Sequence, residues 1–396
     1  MQQQLKNYLT ITGGYWAFTI TDGAIRMLVV LYFHLLGYSP FQVAMLFLFY
    51  EFFGIVTNLV GGWLGARIGL NRTMHIGMAM QIGALAMLTV PDAWLSVAYV
   101  MLAQAISGIA KDLNKMSAKA SVKTIAADAD GKLFKWVAAL TGSKNALKGA
   151  GFFIGAALLE WTDFRTTLWI LAGTLAAVFV VTLILLPSGI GKTKAKAKFT
   201  QVFSNTPAIN WLSAARFFLF GSRDVWFVVG LPVFLYEGLG WSFTQVGAFL
   251  ALWIIGYGFV QAGAPKLIRA SHPGGASARL LAFVLALIPA GIALALAADY
   301  PAELVLIGGL LLFGAVFAIN SSVHSYLILA YSDHDKVAMN VGFYYMANAG
   351  GRLAGTVLSG LVYQTQGLEG CLWWSAGFLL AASLLSFKLP RTHAAA

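Results

Sequence analysis

Cysteine occurs once, at Cys371, so the chain can form no internal disulfide and no thiolate metal site. Charge is scarce as well. Asp, Glu, Lys and Arg make up 10% of the 396 residues, hydrophobic residues 59%, and mean hydropathy is +0.77. No soluble domain has that balance; a polytopic helical membrane protein does. Acids are scarcer than bases, 15 against 26. The resulting +11 has to be located before it is read, because loop charge sets topology whereas span charge marks a site. The opening MQQQLKNYLT has one lysine and no small-residue cleavage pattern, so no cleavable leader is expected. The span histidine, His324, has no ligand partner at metal spacing, and the sequence contains no soluble catalytic domain and no sizeable exposed domain at either end. These absences argue against an enzyme and a receptor, and no metal, cofactor or nucleic acid is expected.

What the sequence does have is long apolar runs. Twelve segments, at 11–35, 42–65, 73–91, 95–117, 133–159, 166–187, 208–236, 244–268, 280–298, 304–331, 337–363 and 368–389, are each near the roughly 20 residues a span needs. The inner loops would hold Arg67, Arg72, Lys119, Lys123 and the run Lys192, Lys194, Lys196 and Lys198, among others. The outer loops would hold Arg165 as their one base, beside acids such as Asp92, Asp163 and Glu369. That asymmetry predicts a multi-pass inner-membrane protein with both termini cytoplasmic. The longest loop divides the chain into an N-terminal six-helix bundle at 1–187, a basic cytoplasmic linker at 188–207 and a C-terminal six-helix bundle at 208–396. Its KTKAKAK run reads as a solvated linker that sets topology, with lipid-headgroup binding as the alternative.

The two halves repeat. LGYSPFQVA at 36–44 follows the first span and LGWSFTQVG at 239–247 follows the seventh. In the fifth span, Lys148 and the following Ala150-Gly151 align with Arg352 and Ala354-Gly355 in the eleventh. A parallel six-plus-six repeat with a basic central loop is the layout of major facilitator transporters. GGWLGARIGLNR at 61–72 resembles that superfamily's loop signature at Arg67, Gly69 and Arg72, while Ala66 stands where aspartate is usual. A gating role tied to that carboxylate is therefore in doubt. The resemblance implies an all-α membrane fold of twelve transmembrane helices in two pseudo-symmetric halves. Spans 1, 4, 7 and 10 would line the cavity, 2, 5, 8 and 11 would lie beside them, and 3, 6, 9 and 12 would form the lipid-facing group. The middles of spans 3, 6, 9 and 12 carry no charge, which supports that layout independently.

With Lys135, Lys266 and Lys388 counted to the inner loops and terminus they adjoin, eight basic residues remain within spans: Arg26, Lys111, Lys115, Lys144, Lys148, Arg216, Arg223 and Arg352. Four acids accompany them: Asp22, Glu51, Asp112 and Asp224. In hydrocarbon each charge costs roughly 2.5–3.5 kcal/mol on insertion scales, so a two-to-one excess of cations needs an anion, a lowered pKa or a place near a membrane face. Lys144 and Lys148, in GSKNALKGAGFF, stand four apart on one helix face and repel. Asp22 and Arg26 share a face and read as a candidate internal salt bridge. Arg223 and Asp224 are adjacent, about 100° apart on a helix, which argues against mutual satisfaction and for a cavity position. Arg216 reads as lying near the inner surface and snorkelling, and Lys115 and Lys119 as lying at the inner interface for topology, whereas Lys111 is harder to place there. The matching stretch of span 10 is polar but neutral, with Asn320, Ser321, Ser322 and His324; helix-packing hydrogen bonds are the ordinary use of such groups. Trp226 and Tyr344-Tyr345 are mid-span aromatics that read as packing, with a cavity lining as the alternative.

Sugar-phosphate antiporters of the superfamily carry an arginine on span 1 and another on span 7, and Arg26 and Arg223 resemble that pair. The stretches TDGAIRMLVVLYFHLLGYSP, LFLFYEFFGIVTNLVGGWLGARIGLNRT, SGIAKDLNKMSAKAS, LTGSKNALKGAGFF and GSRDVWFVVGLPVFLY closely resemble the ArsJ family of major facilitator permeases. These stretches include the intramembrane charges themselves, and the resemblance covers nearly the whole chain. It implies efflux of 1-arseno-3-phosphoglycerate, an ester formed when a glyceraldehyde-3-phosphate dehydrogenase uses arsenate, and hence arsenate resistance. A phosphate-ester or other organic-anion antiporter is the alternative. The expected substrate contacts are Arg26, Lys111, Lys144, Lys148, Arg223 and Arg352, with Asp22, Glu51, Asp112 and Asp224 as counter-ions or proton carriers. Asn145, Asn320, His324 and Asn348 are candidate polar lining. The expected partners are the small anion, the bilayer and, functionally, the dehydrogenase, with the protein a monomer.

Overall fold

In the computed structural model the described residues are 2–36, 46–125, 132–187, 189–190, 206–228, 230–241, 243–268, 273–333 and 336–390. Among them the chain is helical throughout, with no strand. The first six helices are α1 Gln2–Leu35, α2 Leu48–Ile68, α3 Leu70–Met87, α4 Val97–Ile125, α5 Lys132–Trp161 and α6 Phe164–Leu185. They are followed by α7 Pro207–Phe227, α8 Phe243–Ile268, α9 Gly275–Ala297 and α10 Ala302–Ala330. The last helical stretch, Val337–Ser386, is broken at Gly367 (φ 66°), which separates α11 (337–366) from α12 (368–386). Among the described residues, each of the twelve apolar segments overlaps helix. The first copy of the repeated turn (37–45) and the KTKAKAK run lie outside the described residues.

The helix ends follow local chemistry. Asp163 caps α6 by accepting from the amides of Arg165 and Thr166, and Thr206 caps α7 with Pro207 in its first turn. The seventh span, expected as one helix to residue 236, ends as regular helix at Phe227. It resumes as Gly230–Val233 and a π-turn, Phe234–Gly238. Pro232 has no N–H for the carbonyl four residues earlier, which interrupts the ladder.

Two compact units divide the chain. One comprises Met1–Ala129, Ser143–Phe203 and Asp333–Met346; the other comprises Asp130–Gly142, Ser204–Ser332 and Ala347–Ala396. In the first, α4 packs on α1, α2 and α3, and α6 packs on α1 and α3. Its core includes Leu28, Phe33, Leu85 and Leu168, with Tyr32 stacked 4.0 Å from Phe164. In the second, α10 packs on α7, α8 and α9 around Trp226, Trp253, Phe313 and Phe317. Trp226 and Tyr344 are fully buried, as the packing reading expected.

The internal repeat reappears at the end of each half. Asn71 donates to the Pro187 carbonyl (2.8 Å) and the Leu70 amide to Ile190 O (2.7 Å), so the turn between α2 and α3 holds the chain that leaves α6. Gly275 at the start of α9 donates to the Pro390 carbonyl (3.0 Å) in the chain that leaves α12.

Helices α6, α9 and α12 expose apolar side chains such as Ile184, Leu280, Leu294 and Leu384. That is how a helix facing hydrocarbon behaves, and these are three of the four spans expected to be lipid-facing. Among the described residues, five helical stretches are long and apolar enough to cross a membrane by length and composition alone: Phe164–Leu185, Ala248–Ile268, Gly275–Ala297, Ala302–Ala330 and Val337–Ser386. The helices that carry most of the charge, α1, α2, α4 and α5, are not among them.

Two helix crossings place the charges discussed below. A Cβ on Gly23 of α1 would lie 2.5 Å from the Lys148 carbonyl of α5. A Cβ on Gly355 of α11 would lie 2.7 Å from the Gly221 carbonyl of α7. Only glycine permits backbones to approach this closely. Gly23→Val is therefore expected to force α1 from α5 and to abolish a monodisperse elution profile in detergent. A variant that elutes and melts as wild type would show that the crossing is not needed.

Candidate functional site

The α1–α5 crossing sets Asp22 against Lys148. The Lys148 Nζ lies 3.3 Å from Asp22 Oδ2, and the Tyr50 hydroxyl of α2 donates to Asp22 Oδ1 at 2.5 Å. Arg26, one turn further on, reaches Glu51 of α2 (2.8 Å) and lies over the Tyr50 ring, 4.1 Å from its centroid. The expected Asp22–Arg26 bridge is thus replaced by ion pairs from each residue to another helix. The physical reason is the glycine contact, which brings α5 close enough for Lys148 to take the carboxylate.

Helix α4 extends this network. The Lys111 Nζ is 3.9 Å from Glu51, 3.7 Å from Asp112 and 3.8 Å from the Tyr50 ring centroid. Lys115 pairs with Asp112 and lies over the ring of Tyr345, as does Lys119. Lys115 and Lys119, expected at the inner interface, are buried by protein neighbours, at 9% and 2% exposure. Their spacing with Lys111 puts all three on one helix face, so the sequence carried the signal for Lys119, and loop assignment hid it. Lys144, Asn145 and Lys148 are half-buried on α5. Within this unit, the candidate cations Arg26, Lys111, Lys115, Lys144 and Lys148 outnumber the carboxylates Asp22, Glu51 and Asp112 by two, and Lys119 adds a third excess charge.

The other unit repeats the arrangement. Asp224 of α7 is 1% exposed and takes two arginines. Arg352 of α11 approaches Oδ2 at 3.1 Å, and Arg223 reaches Oδ1 through Nε (2.7 Å) and a terminal nitrogen (2.5 Å). Adjacent residues do satisfy each other here, contrary to the expectation from helix angles. The long guanidinium arm curls back to the carboxylate, and Asp224 has a second oxygen for Arg352. The carboxylate of the half's first helix therefore pairs with the base of its fifth in both units, Asp22 with Lys148 and Asp224 with Arg352.

Arg216 corrects a further expectation. It does not extend toward a surface but is 3% exposed, over the Phe220 ring at 3.9 Å. Its Nε donates to Asn348 Oδ1 (2.8 Å), and a terminal nitrogen donates to the Ser321 hydroxyl (3.2 Å) and carbonyl (3.4 Å). On α10, Asn320 and His324 are fully buried, and neither has a hydrogen-bond partner among the described residues. Each such buried polar group costs about 1–3 kcal/mol unless something pairs with it.

A cavity of about 630 Å³ in this unit is lined by Asp299, Tyr300, Tyr363, Gln366 and Glu369 among others. It contains none of the candidate residues, and its acids would repel an anion. No group of three or more metal-ligating side chains occurs among the described residues.

The Major Facilitator Superfamily profile matches residues 11–356. No curated protein is significantly similar in sequence. Among solved structures, the human organic anion transporter MFSD10 (TETRAN) is similar, with a TM-score of 0.75 and 14% identity over 97% of this chain and 99% of its own. A bacterial homologue of the iron transporter ferroportin gives 0.74 and 17% over 96% and 98%. The proton:xylose symporter XylE gives 0.74 and 14% over 98% and 96%. At these identities the likeness concerns the fold. With a superfamily match over most of its length and all-helical units of this architecture, the chain belongs to the Major Facilitator Superfamily and is a multi-pass membrane transporter, not an enzyme.

Proposed function

We propose that the protein exports 1-arseno-3-phosphoglycerate by alternating access and so confers arsenate resistance. The observation that carries this reading is the cation excess held inside each unit, organised around shared carboxylates rather than spread over a surface. Arg26, Lys111, Lys144, Lys148, Arg223 and Arg352 are the oxyanion contacts. Asp22, Glu51, Asp112 and Asp224 are the counter-ions that occupy them when the site is empty. An arriving oxyanion competes with the carboxylates, and the conformation it binds better becomes the populated one. Guanidinium forks suit phosphate and arsenate oxygens, and each unit holds its own cluster of cations suited to an anionic group. A structural neighbour is itself described as an organic anion transporter. The ArsJ resemblance supplies the arsenic. A bacterial inner membrane, cytoplasmic termini, a monomer and a partnering glyceraldehyde-3-phosphate dehydrogenase belong to the same proposal.

The test is arsenic uptake into everted vesicles, with arsenate, glyceraldehyde 3-phosphate, NAD and the dehydrogenase supplied outside. Accumulation that requires the dehydrogenase is expected. Uptake of arsenate or 3-phosphoglycerate without it would replace this substrate with the broader organic-anion reading. In the same vesicles, a rate that falls when the pH gradient is collapsed would assign Glu51 or Asp224 a proton rather than a purely counter-ionic role.

A further inference from the structure

We propose that the acidic cavity of the C-terminal-half unit is a second binding site, one that takes a primary alkylammonium group. At about 630 Å³ it falls within the roughly 300–1,000 Å³ of small-molecule sites. Departures from regular helix surround it. Phe234 opens the π-turn at the end of the seventh span, Asp299 (φ 56°) lies in the turn from α9 to α10, and Gly367 (φ 66°) separates α11 from α12. The cavity therefore lies at the ends of spans, not along them. These are the outer ends in the topology proposed above, but the binding chemistry does not depend on that orientation.

The lining selects the ligand. Asp299 and Glu369 are its carboxylates, and neither side chain has a hydrogen-bond or ion-pair partner among the described residues. No Lys or Arg is among the described lining residues, although the chain carries a net charge of +11. Tyr300, Tyr363 and Phe234 line the same space. An aromatic ring attracts a cation held within about 6 Å of its centre. A metal ion suits the lining less well, because hard cations take several oxygens and no group of three or more metal-ligating side chains occurs among the described residues. Leu296 and Leu368 add apolar wall for a carbon stem. An ammonium on an alkyl chain uses all of these surfaces, whereas a neutral polyol leaves the carboxylate charge unanswered. Such a group has two sources, a free amine and the headgroup of an ethanolamine lipid. Tyr300, 63% exposed, has the amphipathic ring that favours headgroup level.

The test is isothermal titration of the purified full chain in an uncharged detergent at constant ionic strength. The probes are 1,4-diaminobutane and its neutral isostere 1,4-butanediol. The diamine is expected to bind and the diol is not. Asp299→Asn and Glu369→Gln, both at exposed positions, should melt as wild type and each weaken the diamine about fivefold. The double variant should weaken it about 25-fold if the two carboxylates act independently. Tyr363→Leu should weaken it roughly two- to fivefold. Adding phosphatidylethanolamine, or diacylglycerol with the same chains, to the micelles separates the sources. Diamine binding weakened by phosphatidylethanolamine alone assigns the site to the lipid headgroup, and binding unaffected by either assigns it to a free amine. No diamine binding by wild type, equal binding of the diol, or unchanged binding in the double variant would overturn the inference. The anion-transport reading rests on other residues and stands in every case.

Discussion

Asp224→Asn is expected to be the most destabilising single charge change in the C-terminal-half unit. Asp224 is 1% exposed and is shared by Arg223 and Arg352. Neutralising it leaves two guanidinium groups facing each other with no carboxylate between them. Removing one partner of a buried ion pair costs about 3–5 kcal/mol, because the remaining charge stays buried. The midpoint of thermal unfolding in detergent should fall by many degrees. Phosphate at constant ionic strength should restore part of that loss, since an oxyanion can stand where the carboxylate stood. A midpoint within a degree or two of wild type would mean that Asp224 does not hold the arginines, and the counter-ion role would fall with it.

The second large effect is expected at Lys148. Lys148→Ala removes the charge but leaves the glycine crossing of α1 and α5 intact, and Asp22 keeps the Tyr50 hydrogen bond. The chain should fold, and transport should suffer. A charge-assisted hydrogen bond of about 1.5–3 kcal/mol corresponds to roughly a 10- to 150-fold loss in transport efficiency. Lys148→Arg should retain more activity than the alanine variant. In Lys148→Ala with Asp22→Asn, the charge balance of the pair is restored, so stability should recover and transport should not. Recovery of transport in the double variant would make the pair a structural bridge and move the site elsewhere.

Much of this was legible in the sequence for a physical reason. A membrane leaves only one economical backbone solution, so the apolar runs read directly as helix, as they are among the described residues. Charges at hydrocarbon depth are rare enough that Lys111, Lys148 and Arg352 stood out without a structure. The partners were less legible. Asp22 and Arg26 have the right spacing for each other, yet a contact more than a hundred residues away decides the matter. Gly23 lets the α5 backbone in and Lys148 takes the carboxylate. Helix angles separated Arg223 from Asp224 but ignored the reach of the arginine arm. The burial of Arg216, Lys115 and Lys119 was not legible. Position along an apolar run does not say which neighbour covers a residue, here Phe220 for Arg216 and Tyr345 for the two lysines. The loss of regular helix after Phe227 is the opposite case, since Pro232 was visible in the sequence and its missing donor accounts for the interruption.

The measurement that bears most directly on the cation excess is the thermal stability of the purified protein against a set of small solutes at constant ionic strength. A doubly anionic phosphate ester is expected to raise the unfolding midpoint steadily with concentration, well beyond chloride or sulfate. A neutral triol of similar size should do nothing. By linkage, a ligand at 100 times its dissociation constant adds about 2.7 kcal/mol, a shift of several degrees. Equal responses to the ester and the triol, or no response to either, would contradict the claim that these buried cations form an anion site.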